Sequence, residues 1–474
     1  MEEFKNMDDN PKQFVKRLFG FSAGPIISAL ISMIIVPITT YFVVPAELGK
    51  SAMYTMGFTI SSLFVYLGMD QSFVREFNAE KDKKRLLWNS FFIPFIFSIF
   101  LGIFYIIFYK PISILMFGSV EYFIIILLSI SLPFAVIDRF NMLLIRMEEK
   151  ARLYSALNVI NKLINIVVLV AYLKFIDRSF KGIIISTFIN LVLMCLVELY
   201  INRNYLVTSV KINKELVHKL LRFGIPLIPA SILTWLFNSM DKLAMRKWSN
   251  FNEIGLYSAA FKIVLVLGIV QQAFSTFWAP TSYRWYEEKV PHEKYEKVSC
   301  MLATLMSCLF ALLILFKDII IKILGSGYYK AAPIIPFLLF YPLMYTISET
   351  TTLGIGFSRK TGYNVVVSGV SALVNYIGNY MLVPKYGAVG ASISTGISYI
   401  VFFWLRTLIS RKLWYNFKVG FYFVLILLLL GMAFTDVIFD KFIFDLIFTL
   451  AVIFICRKYI KEMLKISLSF VRKN

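Results

Sequence analysis

Lys162, Asn158 and Asn165 are spaced by three and four residues, so a helix places one ammonium and two carboxamides on a single face, with Asn161 beside them. They interrupt an apolar run long enough to span a bilayer. An ammonium at such a depth costs about 2.5 to 3.5 kcal/mol on insertion scales, so it must meet water, an anion or a carboxylate. The chemistry open to this stripe is non-covalent: binding an anionic group by charge and by amide hydrogen bonds. The other reading is structural, with the amides bonding neighbouring helices and Lys162 paired to an acid. A second intraspan base, Lys262, lies nearer a span end, where it either faces a cavity or extends its stem toward the headgroups. Asp241 is followed directly by Lys242, and Asp70, Asp138 and Glu349 stand near span ends with Arg75, Arg139, Arg146 and Arg359 in reach along the chain. Such charges either form ion pairs that tighten when water is excluded or are ordinary interfacial charges. Asp241 has two readings, a cation or proton site and a structural partner for Lys242 or Lys262.

No metal or cofactor site is expected. His218 and His292 lie in separate hydrophilic connections, and Cys195, Cys300, Cys308 and Cys456 show no C-x-x-C spacing, which argues against zinc and disulfides.

The elements that must hold these residues follow from composition. Of 474 residues, 59% are hydrophobic and 16% charged, more apolar side chain than one water-soluble core could bury. Apolar stretches of about 20 residues, enough to cross ~30 Å of hydrocarbon, recur about fourteen times. They fall near 19–44, 50–69, 86–108, 119–142, 153–174, 182–201, 220–243, 254–275, 298–316, 331–352, 363–383, 387–410, 416–437 and 440–458. The acidic start of the chain and the immediate succession of spans argue that the first span is retained rather than cleaved.

The net charge of +21 is distributed between spans rather than in one patch. With a cytoplasmic N-terminus, 34 of the 49 Lys and Arg fall in inner segments, 13 in outer loops, and Lys162 and Lys262 within spans. Excess Lys and Arg mark the cytoplasmic side, so both termini are expected there, in the plasma or inner membrane. No soluble module carries the basic residues, which argues against nucleic acid as a partner.

The two halves match each other at an offset of about 205 to 210 residues. Leu18, Phe19, Gly20 and Pro25 match Arg222, Phe223, Gly224 and Pro229, and Glu47, Leu48 and Gly49 match Glu253, Ile254 and Gly255. Asn165 matches Asn375, Gly182 matches Gly390, and Ser186 matches Ser394. Six spans per copy is an even number, so the second copy enters the membrane in the same direction as the first. The expected fold is an all-α polytopic membrane protein of two parallel six-helix bundles, related by a pseudo-two-fold along the membrane normal, with two extra C-terminal helices. The parts are 1–201 as the first bundle, 202–219 as a cytoplasmic linker, 220–412 as the second bundle, and 413–474 as the additional pair with a basic tail. A central cleft would follow, and the acids near the inner span ends, Asp70, Asp138 and Glu349, with Arg146, are candidates for its inner gate.

The segment 382–395, LVPKYGAVGASIST, resembles the end of the eleventh span, short loop and twelfth span of Wzx-type oligosaccharide flippases. These form the polysaccharide transporter branch of the multidrug/oligosaccharidyl-lipid/polysaccharide exporter superfamily. FGIPLIP at 223–229, NSMDK at 238–242 and EIGLYS at 253–258 resemble the start of that family's second half. The resemblance implies alternating access and movement of an undecaprenyl-pyrophosphate-linked oligosaccharide from the cytoplasmic to the outer leaflet, for surface polysaccharide assembly. Under it, the pyrophosphate becomes the anion for Lys162, with Asn158, Asn165 and Lys262 as further substrate residues, and Asp241 matches a recurrent acidic position. The lipid-linked substrate and membrane lipids would be partners, along with a polysaccharide polymerase and other assembly proteins.

No loop is much longer than ~20 residues, too short for a catalytic domain with its own core, so an enzyme is not expected. Trp235, Tyr257, Trp278, Tyr283 and Trp285 either stack on sugar rings or join the membrane-interface belt, the latter preferred for most. Two other readings stay open: a cation-coupled multidrug exporter of the same superfamily, and a membrane assembly protein without transport. A drug exporter would be expected to place more carboxylates than cations in its cavity, and Lys162 runs against that.

Overall fold

The computed structural model describes residues 27, 31–206 and 212–471. The predicted basic N-tail (Lys5, Lys12, Lys16, Arg17), Leu18 to Gly20, Pro25, Lys211, Arg472 and Lys473 lie outside the described residues. The regular structure among the described residues is helical throughout. The chain divides into two compact units, Met1–Ser239 and Met240–Asn474, and the division falls inside the helix Ile228–Trp248.

The first unit contains α1 (Ile31–Phe42), α2 (Pro45–Tyr66), α3 (Met69–Glu76), α4 (Lys83–Ile107), α5 (Tyr109–Phe117), α6 (Tyr122–Met147), α7 (Ala151–Phe175), α8 (Phe180–Ile201), the one-turn α9 (Arg203–Leu206) and α10 (Lys214–Gly224). Helix α6 is its axis, packed on α2, α4, α7 and α8. Leu132, Val136, Phe140 and Leu144 recur along α6 at spacings of four and bury against Phe73 of α3 and Leu86 of α4. Helix α10, in the predicted linker, packs on α3 and α4, donating nothing to a separate body: Leu216 and Leu220 join the same core.

Helices α2 and α3 meet at a 53° bend, where Leu67 and Gly68 take left-handed φ values of 49° and 68°. A Cβ on Gly68 would lie 2.3 Å from the Gly224 carbonyl oxygen, and Ser72 Oγ donates to the Leu220 carbonyl at 2.7 Å beside it. Only glycine allows both the backbone conformation and this approach. Gly68→Ala is expected to cost at least about 2 kcal/mol, the left-handed penalty plus displacement of α10. A lower unfolding temperature of the detergent-solubilised variant checks this, and an unchanged value would refute the contact.

The chain continues through α11 (Ile228–Trp248), which crosses the division, into α12 (Phe251–Glu287), α13 (His292–Leu315), α14 (Lys317–Leu324), the 3-10 segment Ser326–Ile334, α15 (Ile335–Leu338), α16 (Phe340–Thr351), α17 (Leu353–Phe357), α18 (Gly362–Leu413), α19 (Gly420–Phe439) and α20 (Phe442–Val471). Ten helices among the described residues are long and apolar enough to cross a membrane, eleven if the bent α2–α3 pair is one span. The described residues of the fourteen predicted segments fall mainly on helix, and the difference in number has physical causes. The predicted pair 363–383 and 387–410 forms one run, α18, with a single non-helical residue, Gly387 (φ 53°, ψ −128°). The first predicted span is described only from its middle, as α1. The last predicted span, on α20, is not among the ten, whereas Ser326–Thr351 is one of them, even though Pro333 and Pro336, each lacking a helical donor, divide it into a 3-10 stretch and short helices.

The repeat has a structural counterpart in each unit. Glu47 accepts from the Phe180 backbone N–H at 2.9 Å, at the start of α8. Its repeat mate Glu253 accepts from Ala388 N–H at 2.8 Å, where α18 resumes after Gly387. Both carboxylates satisfy otherwise unpaired amides at a helix N-terminus, where negative charge is favourable.

The extra C-terminal helices are tied to the second unit by charge. Lys317, at the start of α14, meets Asp436 at 2.5 Å and Asp440 at 2.6 Å. Burial pulls its ammonium down, but hydrogen bonds and charge from Asp436 and Asp440 outweigh that and hold it above the usual lysine value.

Candidate functional site

In the first unit, α7 carries the predicted stripe. It is less enclosed than α4, α6 or α8, with Leu157, Leu169 and Leu173 its buried residues, so its polar residues need not be satisfied by neighbours. Lys162 is half-buried and has no ion pair among the described residues. Asn158 donates to the Tyr154 carbonyl of its own helix at 2.8 Å. Asn161 behaves differently, accepting from Asn190 of α8 at 2.8 Å. The stripe therefore splits: Asn161 joins two helices, while Lys162 is left with its charge uncompensated by a carboxylate. Asn165 is half-buried on the same helix.

In the second unit the structure assembles a cluster that spacing alone did not reveal. Asp241 of α11 is 7% exposed. Its Oδ2 accepts from Tyr257 Oη at 2.5 Å and Thr395 Oγ1 at 2.6 Å. Its Oδ1 accepts from Asn379 Nδ2 at 2.8 Å and Asn375 Nδ2 at 3.1 Å. Asn375 also reaches Thr395 Oγ1 at 3.2 Å, and Asn379 Nδ2 reaches Asn375 Oδ1 at 3.0 Å. Three helices, α11, α12 and α18, thus converge on one carboxylate through four uncharged donors, and the carboxylate also acts by charge on Lys242 beside it. Lys262 is half-buried on α12.

One oxygen in the cluster is left over. Asn379 Oδ1 is buried and accepts no hydrogen bond among the described residues, and Asn379 is wholly enclosed. A buried acceptor without a donor is costly. Oxygen ligands of this kind suit a proton or a small hard cation, and Asn379 Oδ1 is the one left open, since both carboxamides turn Nδ2 to Asp241 and Asn375 Oδ1 accepts from Asn379.

The repeat sharpens the point. Asn375 matches Asn165, so Asn379 matches Leu169 one turn on, and Leu169 packs with Val43 and Leu173 in an apolar cluster. Around the position matching Asp241, α1 offers Ile35, Val36 and Pro37. What is plain packing in one copy is a polar centre in the other.

The candidate gate residues are engaged inside their own units. Asp70 of α3 accepts from Arg139 Nη2 at 2.6 Å and Nε at 3.1 Å. Glu349 of α16 accepts from Arg406 Nη1 at 3.0 Å, and the same nitrogen reaches Ser348 Oγ at 2.7 Å. Arg406, rather than Arg359, is therefore the partner of Glu349. Arg146 is exposed and forms no salt bridge among the described residues, and Asp138 instead faces Glu198.

The aromatic residues divide too. Tyr257 is 3% exposed and Trp278 2%, so neither is open to a sugar ring. Tyr257 serves Asp241, and Trp278 donates to the Glu349 carbonyl at 3.3 Å. Tyr283 remains exposed.

Comparisons with known proteins agree with this fold. A lipid II flippase MurJ in an inward closed conformation superposes with a TM-score of 0.69 over 94% of this chain and 99% of that one, at 15% identity. An inward-facing multidrug resistance MATE family transporter of the MOP superfamily gives 0.59 over 82% and 93%, at 16% identity. A membrane protein of Methanocaldococcus jannaschii, described as uncharacterized, is 24% identical over 211 residues, 42% of this chain; the match spans 41% of that relative's length. At these identities the solved structures show a shared fold, that of multi-pass membrane transporters. Residues 38–333, well over half of the sequence, match the family model described as polysaccharide biosynthesis protein, and the chain belongs to that family.

Proposed function

We propose that this protein moves an undecaprenyl-pyrophosphate-linked oligosaccharide from the cytoplasmic to the outer leaflet by alternating access, feeding surface polysaccharide assembly. Membership of a polysaccharide biosynthesis family and a flippase fold support the reading. The observation that carries it toward an anionic lipid is Lys162, a mid-span ammonium with no ion pair among the described residues, on one helix face with Asn158 and Asn165. In this reading the pyrophosphate meets Lys162.

Asp241 is the proposed coupling centre, with Asn375, Asn379 and Thr395 supplying neutral oxygens for a cation or proton. The proton or cation would be exchanged within the second unit while the lipid headgroup is held by the first. No covalent bond of the lipid is made or broken.

The direct test is reconstitution in proteoliposomes containing a fluorescent lipid-linked oligosaccharide, with leaflet exchange read by a membrane-impermeant quencher. Accelerated exchange of the pyrophosphate-linked lipid, and none of a neutral prenol-linked glycan, is the expected result. Equal exchange of both would remove the headgroup from the mechanism, and export of organic cations alone would favour the multidrug reading.

Orientation is part of the proposal. Both termini are placed in the cytoplasm of the plasma or inner membrane, on the strength of the Lys and Arg asymmetry. Single cysteines introduced at 213 and 461 should be labelled by impermeant reagents only after the inner face is opened. Labelling of either from outside would reverse the topology.

A further inference from the structure

Two carboxyl groups in the first unit are used by none of the above. Glu198, near the end of α8, is wholly buried, and its side chain lies in hydrogen-bond contact with that of Asp138 on α6. Neither Glu198 oxygen accepts from any donor among the described residues. Two ionised carboxylates in contact, with no donor between them, repel strongly. The arrangement is satisfied when one proton lies between the two groups, as in carboxyl dyads that share a proton.

The surroundings tie this proton to a second contact. Arg139, next to Asp138 in sequence, is the cation acting on it, and it is held by Asp70 at 2.6 Å. The other titratable groups that face the pair are Cys195 on α8, whose thiol donates to the Phe134 carbonyl at 3.3 Å, and Tyr66 on α2, which donates to the Ala135 carbonyl at 3.3 Å. Helices α4 and α7 pack on α6 and bring no charged group to the pair among the described residues. With the proton present, Arg139 is free to hold Asp70. With it gone, a doubly charged pair competes with Asp70 for one guanidinium, which strains the contact between α3 and α6.

We propose that Asp138 and Glu198 form a proton-binding site in the first unit, occupied by one shared proton whose departure draws Arg139 away from Asp70. It deepens the proposed transport by naming a proton as a coupled ion, and it rests on that reading for its role, though not for its existence. As pH rises the shared proton is lost, repulsion within the pair grows, and the Arg139–Asp70 contact loosens. The site is separate from the Asp241 centre, which belongs to the other unit and is filled with donors rather than lacking them.

The test uses the purified full-length protein in lipid nanodiscs, without substrate, so its outcome is independent of what is transported. Infrared difference spectra between acidic and alkaline buffer should show a protonated-carboxyl band that Glu198→Gln removes and Asp138→Asn removes or shifts. Proton release on alkalinisation should fall by one per chain in Glu198→Gln. Where one variant fails to fold, the other carries the test. The same pH-dependent band in both variants, or a wild-type spectrum with no pH-dependent buried carboxyl, overturns the site. In proteoliposomes, the wild-type pH profile of lipid exchange should flatten in Glu198→Gln. An unchanged profile alongside the expected infrared loss would leave the proton bound but uncoupled, overturning the coupling while sparing the transport reading.

Discussion

Lys162→Glu is expected to abolish surface-glycan export while the amount of protein in the membrane stays near wild type. At about 4 Å and an effective dielectric of about 20, one charge pair is worth about 4 kcal/mol. Losing it is a change of more than two orders of magnitude in the affinity of a headgroup, and reversing its sign adds repulsion to the loss. Lys162→Ala should therefore be milder than Lys162→Glu, and Lys162→Arg should restore part of the activity, because a point charge rather than a fork of donors is what a flexible pyrophosphate requires. Because Lys162 has no carboxylate partner among the described residues, removing its charge orphans no acid in the bundle. That separates the functional from the structural expectation: a structural lysine would lower abundance in all three variants, and a normal glycan phenotype with a well-expressed Glu variant would end the assignment. Glycan display on cells and immunoblotting of membranes supply both readouts.

The second large effect belongs to Asp241. Asp241→Asn turns one of the two acceptor oxygens into an NH2 group that faces either Tyr257 and Thr395 or Asn375 and Asn379, both pairs being arranged as donors. Buried hydrogen bonds to a charged group are each worth about 1.5 to 3 kcal/mol. Loss of even two puts the expected destabilisation on the order of 3 kcal/mol or more, with transport gone. Activity alone cannot separate coupling from folding, so the decisive readout is linkage. A cation that binds only the folded protein raises its stability by RT ln(1 + [L]/Kd). Wild-type unfolding temperature should rise with sodium against a choline control, or shift with pH in its place, and Asn379→Leu should lose that response while keeping Asp241 itself. Stability indifferent to sodium and to pH in the wild type would reduce the cluster to a structural network.

What the sequence determined on its own are the features set by local composition and by order along the chain. Hydropathy alone located the helices, since each apolar run of bilayer length must satisfy its backbone internally whatever it packs against. The internal repeat was legible because a cap such as Glu47 or Glu253 and a break such as Gly387 impose local geometry that few residue types can meet. Lys162 stood out because a charge within an apolar run is visible without knowing its neighbours. Tertiary structure decided the partners. Asp241 meets Asn375, Asn379 and Thr395 from more than 130 residues away, and Asn375 and Asn379, at i and i+4 on one helix face, were the signal that a facing acid could have been sought for. Glu198 is not singled out by the sequence, because nothing in its own helix betrays that α6 brings Asp138 against it. Likewise Glu349 chose Arg406 rather than Arg359. Local sequence fixes where a helix runs and which faces are polar, but a buried charge is settled by whichever side chain another helix carries to the same depth, and that depends on packing.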